Sequence, residues 1–183
     1  MKGRTIYNPI VKDKITFLET EKSSNGKRTC IQVELAPGGG NDLHFHNNFV
    51  ESFEVLEGIL TVKLEKDILH LKAGDAKSAP PSMLHYFKNT SSETVHFITK
   101  IEPANQNFEA FLAIMYGLAS DGLTNKKGVP KSIWHIGVVV SISETYPPKW
   151  HPLHWLSFVF AWLNKQATKK GVKEELYQKY VDY

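Results

Sequence analysis

The 183-residue chain is poor in several residue types, and each scarcity narrows what it can be. It has one cysteine, Cys30, so no intrachain disulfide can form and a reducing compartment is expected. Arg4 and Arg28 are its only arginines, and the net charge is just +3. A nucleic-acid reader would show a dense basic face interleaved with aromatics. None is visible, so no nucleic-acid partner is expected. No run reaches the ~18 uninterrupted apolar residues of a membrane-spanning helix. The first residues, Met1 to Ile6, lack the apolar stretch of a signal peptide, and a cytoplasmic location is expected. Repeats and low-complexity segments are missing too. What the chain does have is 42% hydrophobic residues, enough to bury a sizeable core.

The pattern changes near residue 104. Before it come short runs of period two: Lys14 to Glu19, Arg28 to Leu35, Phe53 to Leu56, Leu60 to Leu64 and Val95 to Ile101. Turn signals separate them, among them Pro37-Gly38-Gly39-Gly40, Glu57-Gly58, Gly74-Asp75 and Pro80-Pro81. Many short strands at this spacing predict an all-β barrel or sandwich over residues 1–104. Cys30 lies in one of these runs and reads as a small packed residue.

After residue 104 the period becomes helical. Asn107 is the expected cap of a helix bearing Phe108, Phe111, Leu112, Met115 and Leu118, ended by Gly122. Ser132 precedes a second apolar segment, Ile133 to Ile142, whose three consecutive valines leave helix and strand both open. Pro147-Pro148 breaks the chain. A third helix is expected over residues 152–170 with Pro152 at its first position, and a short tail helix over Val172 to Tyr180. All four tryptophans, Trp134, Trp150, Trp155 and Trp162, fall in this part. Residues 105–183 therefore read as a helical extension.

The chemistry is concentrated between Gly38 and Asn89. His44 and His46 are two apart, which on a strand puts both imidazoles on one face. Glu51 opens the next strand after a short turn and can return to the same spot. His85 follows a proline-rich turn on a later strand. Three imidazoles and a carboxylate form a donor set for Mn, Fe, Ni, Zn or Co. His151 and His154 lack an acidic or cysteine partner, so no second metal site is assigned. Inward parity adds Phe53, Val55, Val62, Leu64 and Phe87 as core or pocket residues. Asn47 and Asn48 are placed at the barrel mouth as candidate hydrogen-bond donors.

These two segments resemble the paired signature motifs of the cupin superfamily, of the Cupin_2-type barrel. Gly38, His44, His46, Glu51 and Gly58 match the first motif. Gly74, Pro80, His85 and Asn89 match the second, with Ser82 standing where the family usually has glycine. The resemblance covers residues 30–102. It implies a mainly β fold, an antiparallel jelly-roll barrel of the RmlC-like kind with a C-terminal α-helical extension. It implies one divalent metal ion held by His44, His46, Glu51 and His85, a small-molecule ligand and a homodimer.

Three function classes stay open: a metal-dependent enzyme, dioxygenase-like or isomerase-like; a non-catalytic module that binds a small ligand; and a scaffold whose C-terminal region works at a membrane surface. No Gly-x-Ser-x-Gly elbow or phosphate-binding loop is present. If the protein is an enzyme, its chemistry lies at the His/Glu set, with Glu51 as ligand and general base. Leu153 to Leu163 is apolar on nearly every side. It is expected to be buried against the barrel or a dimer partner. The alternative is an interfacial helix with Trp150, Trp155, Lys165, Lys169 and Lys170 at lipid headgroups.

Overall fold

The computed structural model describes residues 1–182. Among them are nine strands: β1 Thr5–Asn8, β2 Asp13–Glu19, β3 Thr29–Leu35, β4 Val50–Glu57, β5 Ile59–Leu64, β6 Asp67–Lys72, β7 Ala76–Ala79, β8 His85–Lys88 and β9 Val95–Glu102. All pairings are antiparallel. They form a six-stranded sheet, β1-β2-β3-β9-β4-β7, facing a three-stranded sheet, β6-β5-β8. The period-two runs became strands because alternate residues can be buried between the sheets while their neighbours meet water. Ile15, Phe17, Ile31, Val33, Leu35, Phe53, Val55, Leu60, Val62, Val95 and Phe97 form that core. Cys30 is a buried free thiol, as its place in the strand suggested.

Gly58 and Gly74 sit at turns with φ of +84° and +90°, a left-handed region that a side chain disfavours. Ser82 accepts the same strain at φ +67°. Two hydrogen bonds offset it: its amide donates to the His46 carbonyl and its hydroxyl to Asn47 Oδ1. The departure from glycine thus ties the turn before His85 to the segment carrying His46.

Five helices complete the chain: α1 Glu21–Ser24, α2 Gln106–Ser120, α3 Ile133–Ile142, α4 Ser157–Lys169 and α5 Val172–Tyr180. The cap of α2 is Asn105, not Asn107. The Oδ1 of Asn105 accepts from the Phe108 amide at 3.0 Å, whereas Asn107 already has helical conformation. The ambiguous segment is the helix α3. Its valine run costs some helix propensity, but Val138, Val139 and Ile142 are buried against α2, α4 and α5. The expected helix over 152–170 is divided: Pro152–Leu156 is a 3₁₀ turn and α4 follows it.

The packing of α3 on α4 depends on Gly137. A Cβ there would lie 2.6 Å from Leu163 Cβ and 2.8 Å from the Asn164 backbone nitrogen. Phe108 of α2 meets Phe49 and Ile101 of the barrel, so α2 fastens the helical layer to the sheets. The segment Leu153 to Leu163 is not buried all round against the barrel. One side turns inward, but Trp155 and Phe158 are each 70% exposed and Trp162 is 56% exposed.

Replacing Gly137 by alanine gains about 1 kcal/mol of helix propensity but forces the two helix backbones apart, an overpacking cost of about 1–3 kcal/mol. The variant is expected to melt below the wild type. An equal or higher melting temperature would show that α3 and α4 do not set each other's position.

Candidate metal centre and cavity

His44 and His46 lie in an extended segment before β4, where His44 pairs with His85 in an isolated bridge. Glu51 is the second residue of β4 and His85 the first of β8. All four are buried, and one ligand atom from each lies within 4.8 Å of the others. Among the described residues this is the one such group of three or more His, Cys, Asp or Glu side chains. The expected set is therefore brought together in full.

The hydrogen-bond partners fix the ring orientation. Nδ1 of His44 faces the Asp42 carbonyl at 2.7 Å, Nδ1 of His46 the Glu144 carbonyl at 2.8 Å, and Nδ1 of His85 the Met83 carbonyl at 2.8 Å. A carbonyl only accepts, so each Nδ1 carries a proton and each ring turns its Nε2 inward. The three Nε2 atoms meet. His44 Nε2 is 3.1 Å from His46 Nε2, and Glu51 Oε2 is 3.1 Å from His46 Nε2 and 2.9 Å from His85 Nε2. Ligands at 2.0–2.2 Å from an ion and at right angles to one another are about 3 Å apart, so the spacing fits one divalent ion.

The electrostatics agree. Burial, with the neighbouring His85 and His46 rings, pushes His44 down to about 3, so it stays neutral and free to coordinate. Burial alone would raise Glu51, but the imidazoles of His46 and His85 outweigh it and hold the carboxyl well below its usual range. His85 is likewise pushed down by burial but raised overall by the Glu51 carboxylate. Phe49 and Phe108 pack on the His46 ring, with centroids 4.4 and 5.5 Å away.

The second contact of His46 comes from the helical extension. Glu144 has a left-handed φ of 51°, its carbonyl receives the His46 proton, and its carboxylate accepts from Asn48 Nδ2. Phe45 and Tyr146 exchange both backbone hydrogen bonds. Asn48 is a donor, as the sequence suggested, but to Glu144, while Asn47 Oδ1 accepts from Ser82. Asn89 accepts from Ser91 and donates to Leu35 and Glu93 carbonyls, a turn-closing role.

The centre borders a cavity of about 1040 Å³ between the barrel and the helices. Its floor includes Ile15, Ile31, Val33 and Phe87 from the strands. Its roof includes Phe111 and Met115 of α2, Val139 of α3 and Phe160 of α4. Of the residues placed inward by parity, Phe87 reaches the cavity, while Phe53, Val55 and Val62 are packed core. His154 also borders it; His151 caps the 3₁₀ turn through Nδ1. Sequence reasoning missed Asp13, Thr99 and Tyr116, which line the same cavity. They sit in strand and helix patterns where nothing local marks them, although a carboxylate at an inward strand position was a usable signal.

Burial lifts Asp13 from 3.8 to about 7, against the opposing hydrogen bond from Tyr116. Between those two values the folded state holds a proton that the unfolded chain has lost. The contribution of Asp13 to stability is therefore lost as pH rises from about 4 to about 7. Asp13→Asn is expected to remove that loss, so the two stabilities, measured by denaturant unfolding at a series of pH values, change relative to each other across this window. Parallel curves would contradict the raised value.

Residues 31–100 match the family model Cupin_2, described as a cupin domain. Among solved structures the fold is similar to KdgF from Halomonas sp., at 19% identity over 52% of this chain and 83% of that one, with a TM-score of 0.48. It is similar to an RmlC-like cupin from Shewanella frigidimarina, at 22% identity over 56% and 86%, TM-score 0.49. The protein TT1209 from Thermus thermophilus is similar at 23% identity over 53% and 88%, TM-score 0.47. No curated protein matches the sequence.

Proposed function

We propose, for a chain whose barrel belongs to the cupin superfamily, a metal-dependent enzyme that acts on a small, largely apolar organic molecule. The observation that carries this reading is the meeting of three Nε2 atoms and a carboxylate at the wall of a large cavity. His44, His46, Glu51 and His85 would hold a divalent ion, which would supply Lewis acidity toward a substrate or dioxygen. The protein's own groups do the rest. The three backbone carbonyls hold the rings in the coordinating tautomer. The apolar walls exclude water and orient the substrate. Glu51 is both ligand and general base, since it is the only carboxylate in the cluster. Oxygen insertion into an enol-like substrate and isomerisation are the reactions this arrangement serves.

Anaerobic loading with Fe(II) or Mn(II), then an oxygen-uptake and product screen with catechols, flavonols and diketones, tests the reading. Stoichiometric metal with no turnover of any candidate would favour a non-catalytic binding module. Once a substrate is found, Glu51→Gln is expected to keep part of the metal and to lose turnover by about 10²-fold or more. Wild-type turnover in the metal-loaded variant would show that Glu51 is not the base.

The exposed aromatic side of the C-terminal region favours a homodimer as part of the same reading. Trp150, Trp155, Phe158 and Trp162 are large apolar side chains left mostly exposed by their own chain, from 56% to 72%. Light scattering at micromolar concentration is expected to give twice the 20.8 kDa chain mass, and Trp155→Glu with Phe158→Glu to halve it. A monomer that floats with liposomes would instead assign this side to a membrane surface.

A further inference from the structure

Three carbonyls turn the three imidazoles, and one of them differs from the others in origin. His44 and His85 are each oriented by the carbonyl two residues earlier, on Asp42 and Met83. His46 is oriented by Glu144, which lies 98 residues away in the helical extension. The barrel therefore holds two of its rings by itself and borrows the partner of the third.

The borrowed partner has an uncommon backbone conformation. Helix α3 ends at Ile142, Ser143 caps it with right-handed helical angles, and the next residue turns left-handed at φ 51°. Glycine is the usual residue at such a position, because a Cβ is disfavoured there. Among the described residues of the extension, Glu144 is the one non-glycine residue with positive φ. Ser143 and Thr145 brace the turn: Ser143 Oγ accepts from the Thr145 amide, and Thr145 Oγ1 donates to the Ser143 carbonyl. The glutamate side chain has a contact of its own, since its carboxylate accepts from Asn48 Nδ2 at 2.6 Å. Main chain and side chain of Glu144 thus both reach the segment from His46 to Asn48.

This turn joins two packed parts of the molecule. On one side Val138, Val139 and Ile142 are buried in the helical core. On the other, Phe45 exchanges both backbone hydrogen bonds with Tyr146, and the two rings stack with centroids 5.5 Å apart. Phe45 stands between two of the ligands, so the run His44-Phe45-His46 is held between His85 of the barrel and Tyr146 of the extension. Ser143, Thr145 and Tyr146 also line the cavity. The turn that orients His46 is therefore a piece of the cavity wall.

We propose that Glu144 is a positioning residue for the metal centre, and that its turn makes metal binding and the shaping of this cavity wall depend on each other. The inference rests on the metal reading above and adds an order of binding to it. An ion that needs His46 in place binds the protein with the turn closed better than with the turn released, and such a preference shifts the population toward the closed turn. The dependence is reciprocal. Loosening the turn weakens the hold on the ion, and the ion tightens the turn. Ser143, Thr145 and Tyr146 are then fully set only in the loaded protein, so the ion binds before the substrate.

Zn(II) uptake by equilibrium dialysis, with hydrogen exchange at the Phe45 and Tyr146 amides followed by NMR, tests it. In the wild type Zn(II) is expected to slow both amides about tenfold or more, a coupling of ordinary size. Glu144→Gly keeps the carbonyl and suits the left-handed turn, so it should bind Zn(II) nearly as well as the wild type although the bond to Asn48 is gone. Glu144→Val puts a β-branched side chain where φ is positive, and should weaken Zn(II) about tenfold. Glu144→Pro, with φ fixed at about −65°, should weaken it further and abolish the slowing at Tyr146. If the proline variant does not fold, the glycine and valine variants still decide. A merely structural role would lower the melting temperature without separating those two in Zn(II) affinity. Unchanged exchange in the Zn(II)-loaded wild type, or equal affinity in the glycine and valine variants, would overturn the inference and leave the metal reading standing. No uptake of Zn(II) by the wild type would remove both.

Discussion

Three inward-facing imidazole nitrogens and a carboxylate share one buried point, and that point calls for positive charge. His44 Nε2 and His46 Nε2 lie 3.1 Å apart, each on a ring whose other nitrogen already donates to a carbonyl, so a proton or an ion must stand between them. The Glu51 carboxylate raises His85, whereas burial and the neighbouring rings hold His44 neutral far below physiological pH, with its lone pair open to an ion. The barrel meets this constraint by building outward from it. The His44–His85 bridge, the Ser82 turn and the pairing of Phe45 with Tyr146 all fix the backbone from which the ligands project.

The same constraint explains why the helical extension is more than an appendage. Without the carbonyl of Glu144, His46 would lose the partner that sets its tautomer. Without Phe108 it would lose one wall of its packing. The helices also cover part of the barrel mouth and form with it a largely apolar, partly open cavity lined by His44 and Glu51 and by Asp13. Site and cavity thus depend on contacts between residues about 100 positions apart, such as His46 with Glu144, at a separation of 98, and Asp13 with Tyr116, at 103.

That separation also marks what could be read in the sequence. The strands were legible because period-two burial leaves a trace in each short run, and the four ligands because their spacing is tied to strand geometry and to a motif. The existence of the helices after residue 104 was legible as well, though α1 was not. Their details were not. Asn105 and Asn107 are equally good caps on paper, and only the register of α2 against Phe49 and Ile101 selects the first. The valine run of α3 reads either way until Gly137 lets α4 approach. Glu144, Tyr116 and Thr99 carry no local signal, since each gains its role from a residue or cavity supplied by another part of the chain. The aromatic side of the 3₁₀ turn and α4 shows another case: composition suggested burial against the barrel or a dimer partner, and the barrel leaves Trp155 and Phe158 in the open.

If the buried cluster holds one divalent ion, Co(II) added to the apo-protein must enter it and show visible ligand-field bands. Titration is expected to saturate at one ion per chain, and the bands to be lost when His44 and His46 are both replaced by alanine in a barrel that still shows its far-UV β signature. Bands that fail to appear, or that persist unchanged in the double variant, would contradict it.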